Sequence, residues 1–377
     1  MAKRLRSPDR GDGGKRPRHG RKHLHVVLDD RQNGYSVHKV DVEADGVGLA
    51  DPPLLQLESL EAYGGVLVGA LGSKILALWQ PTANGQLTTH AVAYGTDTDR
   101  LAVGPPHPDA LLTMRFVVAA GEQLYALHEG GLHCLELVLN ETPPSGAEDS
   151  EAEELQEHRW AWTRVSSPLR LPGCDGDNPE EDDEPIEITS YALHPDGRTI
   201  FVSAHATRRG GYAGTFSVDT AVGSLGGDAE WTPRGEWLLP FQGQGHYDAG
   251  LDAWVGLHSP GYMCACDVPA PLAALRPGDA PRQPTWELVS AASLLYADPD
   301  PKASDSAAWL ACMGGGQFCV VESMALAEQE DEHVLLRLAT LRLERDLHGG
   351  LRASSRRTLA CRVLKFDPLF SPRAFCM

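Results

Sequence analysis

The sequence predicts an all-β fold, and three observations carry that prediction. From His23 onward, runs rich in β-branched and aromatic residues follow one another with scarcely any helical pattern between them. Turn-forming groups, NG at 33 and 34, GS at 72 and 73 and PDG at 195 to 197, sit between paired runs where a chain would reverse. Several runs are apolar at successive positions rather than alternating, so both faces of the resulting sheets need cover, and the chain offers strands rather than helices to supply it.

The clearest element is the turn in HPDGRTIFVS, residues 194 to 203. Pro195 fixes φ near the value that the second residue of a type I turn needs, Asp196 suits the next position, and Gly197 can take positive φ to close a three-residue hairpin loop. IEITSYAL (186–193) precedes it and RTIFVSA (198–204) follows, with Tyr191, Leu193, Ile200, Phe201 and Val202 aimed to both sides. A hairpin sandwiched between two other sheets is the arrangement of a propeller blade.

In chain order, residues 1–22 form a basic, glycine-rich segment with too little apolar surface to fold. A first unit then reads as HLHVVLDD, YSVHKVDV and PPLLQLES; a second as VLVGALGSKILALWQ, QLTTHAVAY and RLAVGP. The third is RFVVAAGEQLYALHEGGLHCLELVL closed by HRWAWTRVSSP. The fourth adds AGTFSVDT and AEWTPRGEWLLPF to the PDG hairpin. A fifth spans 245–271 and PTWELVSA, and a sixth AWLACMGGGQFCVVESMAL, HVLLRLATLRLE and RTLACRVLKF, so that the propeller occupies 23–366 and a proline-punctuated tail 367–377.

Turns near Gly72, Gly121, Gly197, Asp252 and Gly315 are separated by 49, 76, 55 and 63 residues, the longer gaps coinciding with polar insertions. Units of about 50 residues, each a hairpin with further strands, are the period of kelch-type propellers. Tryptophans in WTRV, WTPRGEW and WELV occupy a late position in their units, and MGGGQF keeps the glycine-rich half of that pattern. Further, LDDRQNGYSVHKVDV, HPDGRTIFVS, GTFSVDT, EWTPRGEWLLPFQGQGHYDAGLDAWVGL, CACDV and GGGQFCVVES together resemble a grass-expanded plant family of unknown function. The resemblance spans most of 23–366. It implies a kelch-like propeller fold and brings no catalytic residues with it.

Charge and cysteine content bound the function. The formal net charge is −19, yet residues 1–22 hold nine Lys or Arg against two Asp, leaving 24 basic against 50 acidic residues in the body. Such a body is a poor nucleic-acid binder through its general surface. Two acidic insertions, at about 141–157 and 174–187, read as solvated loops; the alternative is an acidic arm that recruits a basic partner by an attraction salt can screen. The eight cysteines show no zinc-ribbon spacing and read as buried thiols; no stretch is apolar enough for a signal peptide or membrane span, so a reducing, soluble compartment and a monomer are expected.

Candidates for chemistry are His246, Tyr247 and Asp248, the pair Asp29 and Asp30, and His23 with His25 as ligands on one strand face. None carries a nucleophile, metal or phosphate-loop motif. Asp29 and Asp30 read as a strand end and the histidine pair as a solvated face, so no catalytic, cofactor or metal residue is assigned. Lys3 and Arg4, separated by ten residues, 5–14, from Lys15, Arg16 and Arg18, have the spacing of a bipartite nuclear import signal, which predicts a nuclear protein and an import receptor as partner, with cytoplasmic residence as the alternative. The predicted function is a non-enzymatic interaction scaffold with protein partners; the alternative is an enzyme or small-ligand binder using the central channel.

Overall fold

A computed structural model describes residues 23–30, 34–42, 49, 52–57, 66–79, 90–106, 116–128, 131–139, 158–171, 186–207, 211–223, 228–258, 262–271, 274, 282–289, 307–325, 333–364 and 371–377. The basic segment 1–22 and nearly all of both acidic insertions lie outside these residues; Ile186 and Glu187, at the end of the second insertion, belong to a strand instead.

The described chain is all-β, apart from one helical turn α1 (Thr220–Gly223). Unit 1 contains β1 (Leu24–Asp30), β2 (Gly34–Val40) and β3 (Leu55–Leu57). Unit 2 runs through β4 (Val66–Leu71), β5 (Lys74–Trp79), β6 (His90–Gly95) and β7 (Arg100–Pro106). Unit 3 has β8 (Phe116–Ala120), β9 (Gln123–His128), β10 (Gly131–Leu139) and β11 (His158–Arg164). Unit 4 has β12 (Ile186–Leu193), β13 (Thr199–Ala206), β14 (Ala213–Asp219) and β15 (Thr232–Gly235). Unit 5 has β16 (Gln242–Asp248), β17 (Ala253–His258), β18 (Tyr262–Asp267) and β19 (Trp286–Leu288). Unit 6 has β20 (Ala307–Gly314), β21 (Gln317–Ala325), β22 (His333–Arg345) and β23 (Leu351–Leu364), and β24 (Ser371–Cys376) returns to lie beside β1. Within each unit neighbouring strands are antiparallel, while β12 and β16 pair in parallel over Ser190–Ala192 and Gly243–Gly245, joining units 4 and 5 into one eight-stranded sheet.

Successive apolar residues on one strand serve two different neighbours. Ile200, Val202 and Ala204 of β13 pack towards unit 3 with Phe116, Tyr125 and Leu132, whereas Phe201 between them packs towards unit 5 with Trp254 and Cys264. Leu24, Val26 and Leu28 of β1 likewise face unit 6 with Cys319 and Val321, and Val27 faces unit 2 with Val68 and Ile75. Six apolar clusters among the described residues therefore join each unit to the next, the last joining unit 6 to unit 1. Because strand side chains alternate at period two, a strand buried on both faces loses the apolar-polar alternation that a half-exposed strand shows.

The first hairpin of each of units 2 to 6 turns through a residue at positive φ: Gly72, Gly121, Gly197, Asp252 and Gly315 at 57°, 61°, 75°, 49° and 63°. At Gly197 the turn closes with Gly197 N donating to His194 O at 3.0 Å and His194 N donating to Thr199 O at 2.8 Å. Asp196 accepts from the backbone N–H of Arg198 and of Thr199, each at 2.9 Å, and from the Thr199 hydroxyl at 2.6 Å. Partial burial alone would raise the Asp196 carboxyl, but the hydrogen bonds from Thr199 and Arg198 outweigh it and hold the group below its usual value.

Polar groups also cross between units. Trp254 Nε1 donates to Leu193 O at 2.9 Å, Trp309 Nε1 to Ala374 O at 2.9 Å, and the His246 ring meets Leu310 O at 2.9 Å. Asp248 takes the N–H of Gly250 and Leu251 in its own turn at 2.9 and 3.1 Å, and the N–H of Gly316 in the next unit at 2.7 Å.

Three sequence expectations are corrected. The segment 367–377 is not wholly a tail, since 371–376 forms β24 and pairs with β1 from Leu24↔Cys376 to Asp29↔Ser371, with His23 and Met377 exchanging backbone hydrogen bonds at 2.9 and 3.1 Å. Pro372 is compatible with this because β24 is the edge strand of its sheet. In unit 6, β23 begins at Leu351 rather than Arg357, its partner β22 being 13 residues long. In unit 4 only Thr232–Gly235 of the segment 229–241 is a strand; beyond it Leu239 and Phe241 leave the ladder to fill the cluster beside Trp254.

Removing residues 371–377 should free one edge of β1 and strip Ala374 from the cluster of Leu24, Val26 and Leu28, giving aggregated protein on size exclusion; a soluble monomer with unchanged far-ultraviolet circular dichroism would contradict this closure. Burial pulls the His246 imidazole from 6.5 to about 4, and burial with the nearby positive charge of Lys39 does the same to His25. Each ring is neutral in the folded protein at neutral pH and takes up a proton more readily when unfolded, so stability is full above about pH 6.5 and falls as pH drops towards 4. Each such shift corresponds to roughly 3 kcal/mol when complete. Urea midpoints of the wild type should fall across that window, and those of His246→Gln should fall less steeply; parallel curves would remove His246 as a cause.

Candidate functional site

One strand from each unit lines a shared internal space: β4, β8, β12, β16, β20 and β24. The space holds two adjoining cavities of about 180 and about 200 Å³ that share Val68, Val117 and Trp309 in their walls. The strands bring mostly small or apolar residues here, including Gly69, Ala70, Ala119 and Ala311. A Cβ placed on Gly69 would lie 3.0 Å from Val117 and 3.1 Å from Leu124, so a larger residue would push against unit 3.

The second cavity has a different character. Arg373, from β24, lines it together with Trp309, Phe116, Tyr191 and Thr189. The Arg373 guanidinium carbon lies 4.4 Å from the centroid of the Trp309 ring, and the Trp309 indole is fixed by its bond to Ala374 O and an edge contact with Phe375 at 6.2 Å. On another wall Phe116 and Tyr191 stack with centroids 4.0 Å apart and planes 8° from parallel. Burial raises the Tyr191 phenol to about 12, with the positive charge of Arg373 opposing that shift. Thr189 Oγ1 donates to Ser203 O at 3.3 Å, and Gly243 takes φ +67° with open space where a side chain would start. A cation over an indole, flanked by aromatic faces and one hydroxyl, can recognise an anion attached to an apolar body.

The residues singled out from sequence for chemistry do not converge. His246 lines the first cavity, but its ring is engaged with Leu310 O and is neutral at physiological pH. Tyr247 points elsewhere, its hydroxyl donating to Asp252 at 2.9 Å, and Asp248 is 3% exposed and occupied by its three N–H donors. Asp29 and Asp30 end β1, as read from sequence. The His23 and His25 pair is not a solvated face: His25 is buried, with neither ring nitrogen hydrogen-bonded among the described residues. On the strand it alternates with Leu24 and Val26, and no local pattern announces that this face is buried as well.

Among the described residues no group of three or more His, Cys, Asp or Glu is placed to hold a metal ion. Burial pushes the thiols of Cys134, Cys264 and Cys319 up to about 12, which leaves them protonated and poorly nucleophilic. No described helix is long and apolar enough to cross a membrane. Residues Lys3, Arg4, Lys15, Arg16 and Arg18 lie outside the described residues, and Pro195, Asp196 and Gly197 form the exposed turn detailed above, away from the cavities.

Sequence reasoning missed Arg373 and Trp309. The alternation in SPRAFC was the available signal, but six residues containing a proline do not reveal a strand whose partner lies at the opposite end of the chain. It also missed Arg234, which is buried over Phe201 at 5.1 Å and bonds Ala270 O across the junction of units 4 and 5.

Comparison with solved structures finds TolB from Acinetobacter baumannii, at 12% identity and TM-score 0.43. That match covers 94% of this chain, and the chain spans 66% of the TolB chain. It also finds the Cellvibrio cellulosa alpha-L-arabinanase complexed with arabinohexaose, at 11% identity and TM-score 0.33, covering 89% of this chain and 93% of that one. No curated protein matches the sequence. A family profile matches residues 21–362, everything from just before β1 to near the end of β23, and the chain therefore belongs to the family described as "Protein of unknown function (DUF1668)".

Proposed function

We propose that the chain is a six-bladed, kelch-like β-propeller that acts as a non-enzymatic scaffold for protein partners. The six four-stranded units, their closed circle of apolar clusters and the common space between their first strands support the blade count. The late-unit tryptophans support the kelch-like assignment, Trp162 lying on β11 and Trp286 on β19, the last strands of their units.

The observation that carries the scaffold reading is a pair of exposed large apolar residues on each of two outer strands. Leu101 and Val103 of β7 are 50% and 68% exposed, and Trp286 and Leu288 of β19 are 44% and 43% exposed. Both strands end their sheets, and in each pair the two residues stand on one face, two positions apart. A sheet edge with apolar side chains accepts an added strand, the backbone of the partner supplying hydrogen bonds and its side chains filling the apolar face.

The basic clusters Lys3 with Arg4, and Lys15 with Arg16 and Arg18, support nuclear import as the route to those partners. A photo-crosslinker at Leu101 or at Trp286 should capture a partner protein, and Leu101→Asp with Val103→Asp should lower its retention at least about tenfold. Exposed substitutions of this kind usually leave stability within about 0.5 kcal/mol, so an unchanged melting curve accompanies that result. Retention equal to wild type would refute the edge as the binding surface. A fluorescent fusion should accumulate in the nucleus and spread to the cytoplasm when Lys15, Arg16 and Arg18 become Ala; a wild-type fusion that stays cytoplasmic ends the import reading.

A further inference from the structure

We propose that the junction of units 4 and 5 is a binding site for one halide ion, chloride in physiological solution, held by the Arg234 guanidinium and the Trp237 indole N–H. The site uses neither the residues that line the central space nor those of β7 and β19, and its test does not depend on a protein partner.

Arg234 stands on β15, the edge strand of its sheet, yet it is 2% exposed. Its Nη2 donates to Ala270 O, and its guanidinium carbon rests 5.1 Å over the Phe201 ring. Nε and Nη1 have no hydrogen-bond partner among the described residues, and the side chain makes no ion pair among them. An aromatic face and one carbonyl offer only partial negative charge, whereas a buried ionised group is costly unless a full counter-charge meets it. Burial pulls the guanidinium below its usual value with no neighbouring carboxylate opposing the shift, and an arginine does not shed its proton to escape that cost.

Trp237 is the second observation. Its Nε1 is buried and likewise without a partner among the described residues, whereas the indole N–H groups of Trp254 and Trp309 each reach a carbonyl. Trp237 packs against the cluster that contains Phe201, the ring beneath Arg234. Its Nε1 comes within 2.5 Å of the place a Cβ on Gly235 would take, so the indole N–H lies against the residue next to Arg234. Two side chains from one stretch of four residues therefore bring N–H donors, no acceptor and an unmatched positive charge to one junction.

That combination selects an anion over a water molecule, whose own two hydrogens would find no acceptor on either side chain and which would leave the charge unmet. Packing sets the size. Phe201, Leu239, Phe241 and Trp254 of the same cluster are each 4% exposed or less, and neither Arg234 nor Trp237 borders the two central cavities. A carboxylate or phosphate brings several oxygens and a larger body; a halide takes the room of about one water molecule and accepts from several N–H groups at once. Pro233 and Glu236, on either side of the Arg234–Gly235 pair, are exposed, so an ion has only the edge strand to pass.

The test follows chlorine-35 NMR line broadening of chloride by the full chain, together with melting temperature in chloride, bromide and methanesulfonate at equal ionic strength. Bromide should displace the broadening and methanesulfonate should not. Melting should be higher in either halide than in methanesulfonate, because a ligand that binds only the folded state stabilises it. Arg234→Met should weaken chloride binding at least about tenfold, the worth of a hydrogen bond to a charged group, and Trp237→Phe, which keeps a ring and loses the N–H, about fivefold. Both variants are compared with wild type by circular dichroism; where Arg234→Met fails to fold, Trp237→Phe and the anion comparison on wild-type protein decide. Equal melting in all three anions, the result expected of a site holding only water, would overturn the proposal. So would broadening that bromide does not displace, or wild-type chloride affinity in the folded variants.

Discussion

Every sheet in this protein needs a neighbour on both faces, and that need is met all the way round only because β24 crosses from the end of the chain to pair with β1. The pairing runs from Leu24↔Cys376 to Asp29↔Ser371 and places Ala374 in the cluster that joins unit 6 to unit 1. Without it the first strand would present an unpaired edge and an uncovered apolar face. The same strand delivers Arg373 and Phe375 to Trp309, so closing the circle and furnishing the central space are one event.

Polar side chains near the junctions act mainly as fasteners. Asp248 gathers two backbone donors from its own turn and a third from the turn of unit 6, and a carboxylate with charge-assisted bonds of this kind is costly to replace. His246, Trp254 and Trp309 each reach a carbonyl on a neighbouring unit. Such bonds satisfy carbonyls that would otherwise be left at the inner edges, and they remove from chemistry the residue types that looked most reactive in the sequence. Among the described residues, apolar side chains stand exposed on the outer strands β7 and β19, and an arginine stacks on Trp309 inside.

Much of the fold could be read from local pattern because β-structure with both faces buried has a local signature. RTIFVSA is apolar at consecutive positions, and each of those positions is claimed by a different neighbour, Ile200 and Val202 by unit 3 and Phe201 by unit 5. The PDG turn was readable for a different reason: proline and glycine restrict or release φ whatever surrounds them, and Gly197 takes the left-handed value the hairpin requires. The candidate site was hardly readable at all. His246 and Asp248 leave one face of their strand and Tyr247 the other, and each is taken up by a different local partner, while nothing near Arg373 in the sequence names the tryptophan 64 positions earlier on which it rests.

The sequence by itself determined most of the strands, their turns, the all-β class and the charge contrast between the first 22 residues and the body. These depend on side-chain shape, backbone freedom and composition, which act over a few residues. Tertiary structure alone decided that 371–376 is a strand, that His25 is buried rather than solvated, and that six inner strands enclose an aromatic space with a cation in it. Those outcomes depend on which distant segments become neighbours when the circle closes, a condition set by the whole chain and written in no single stretch of it.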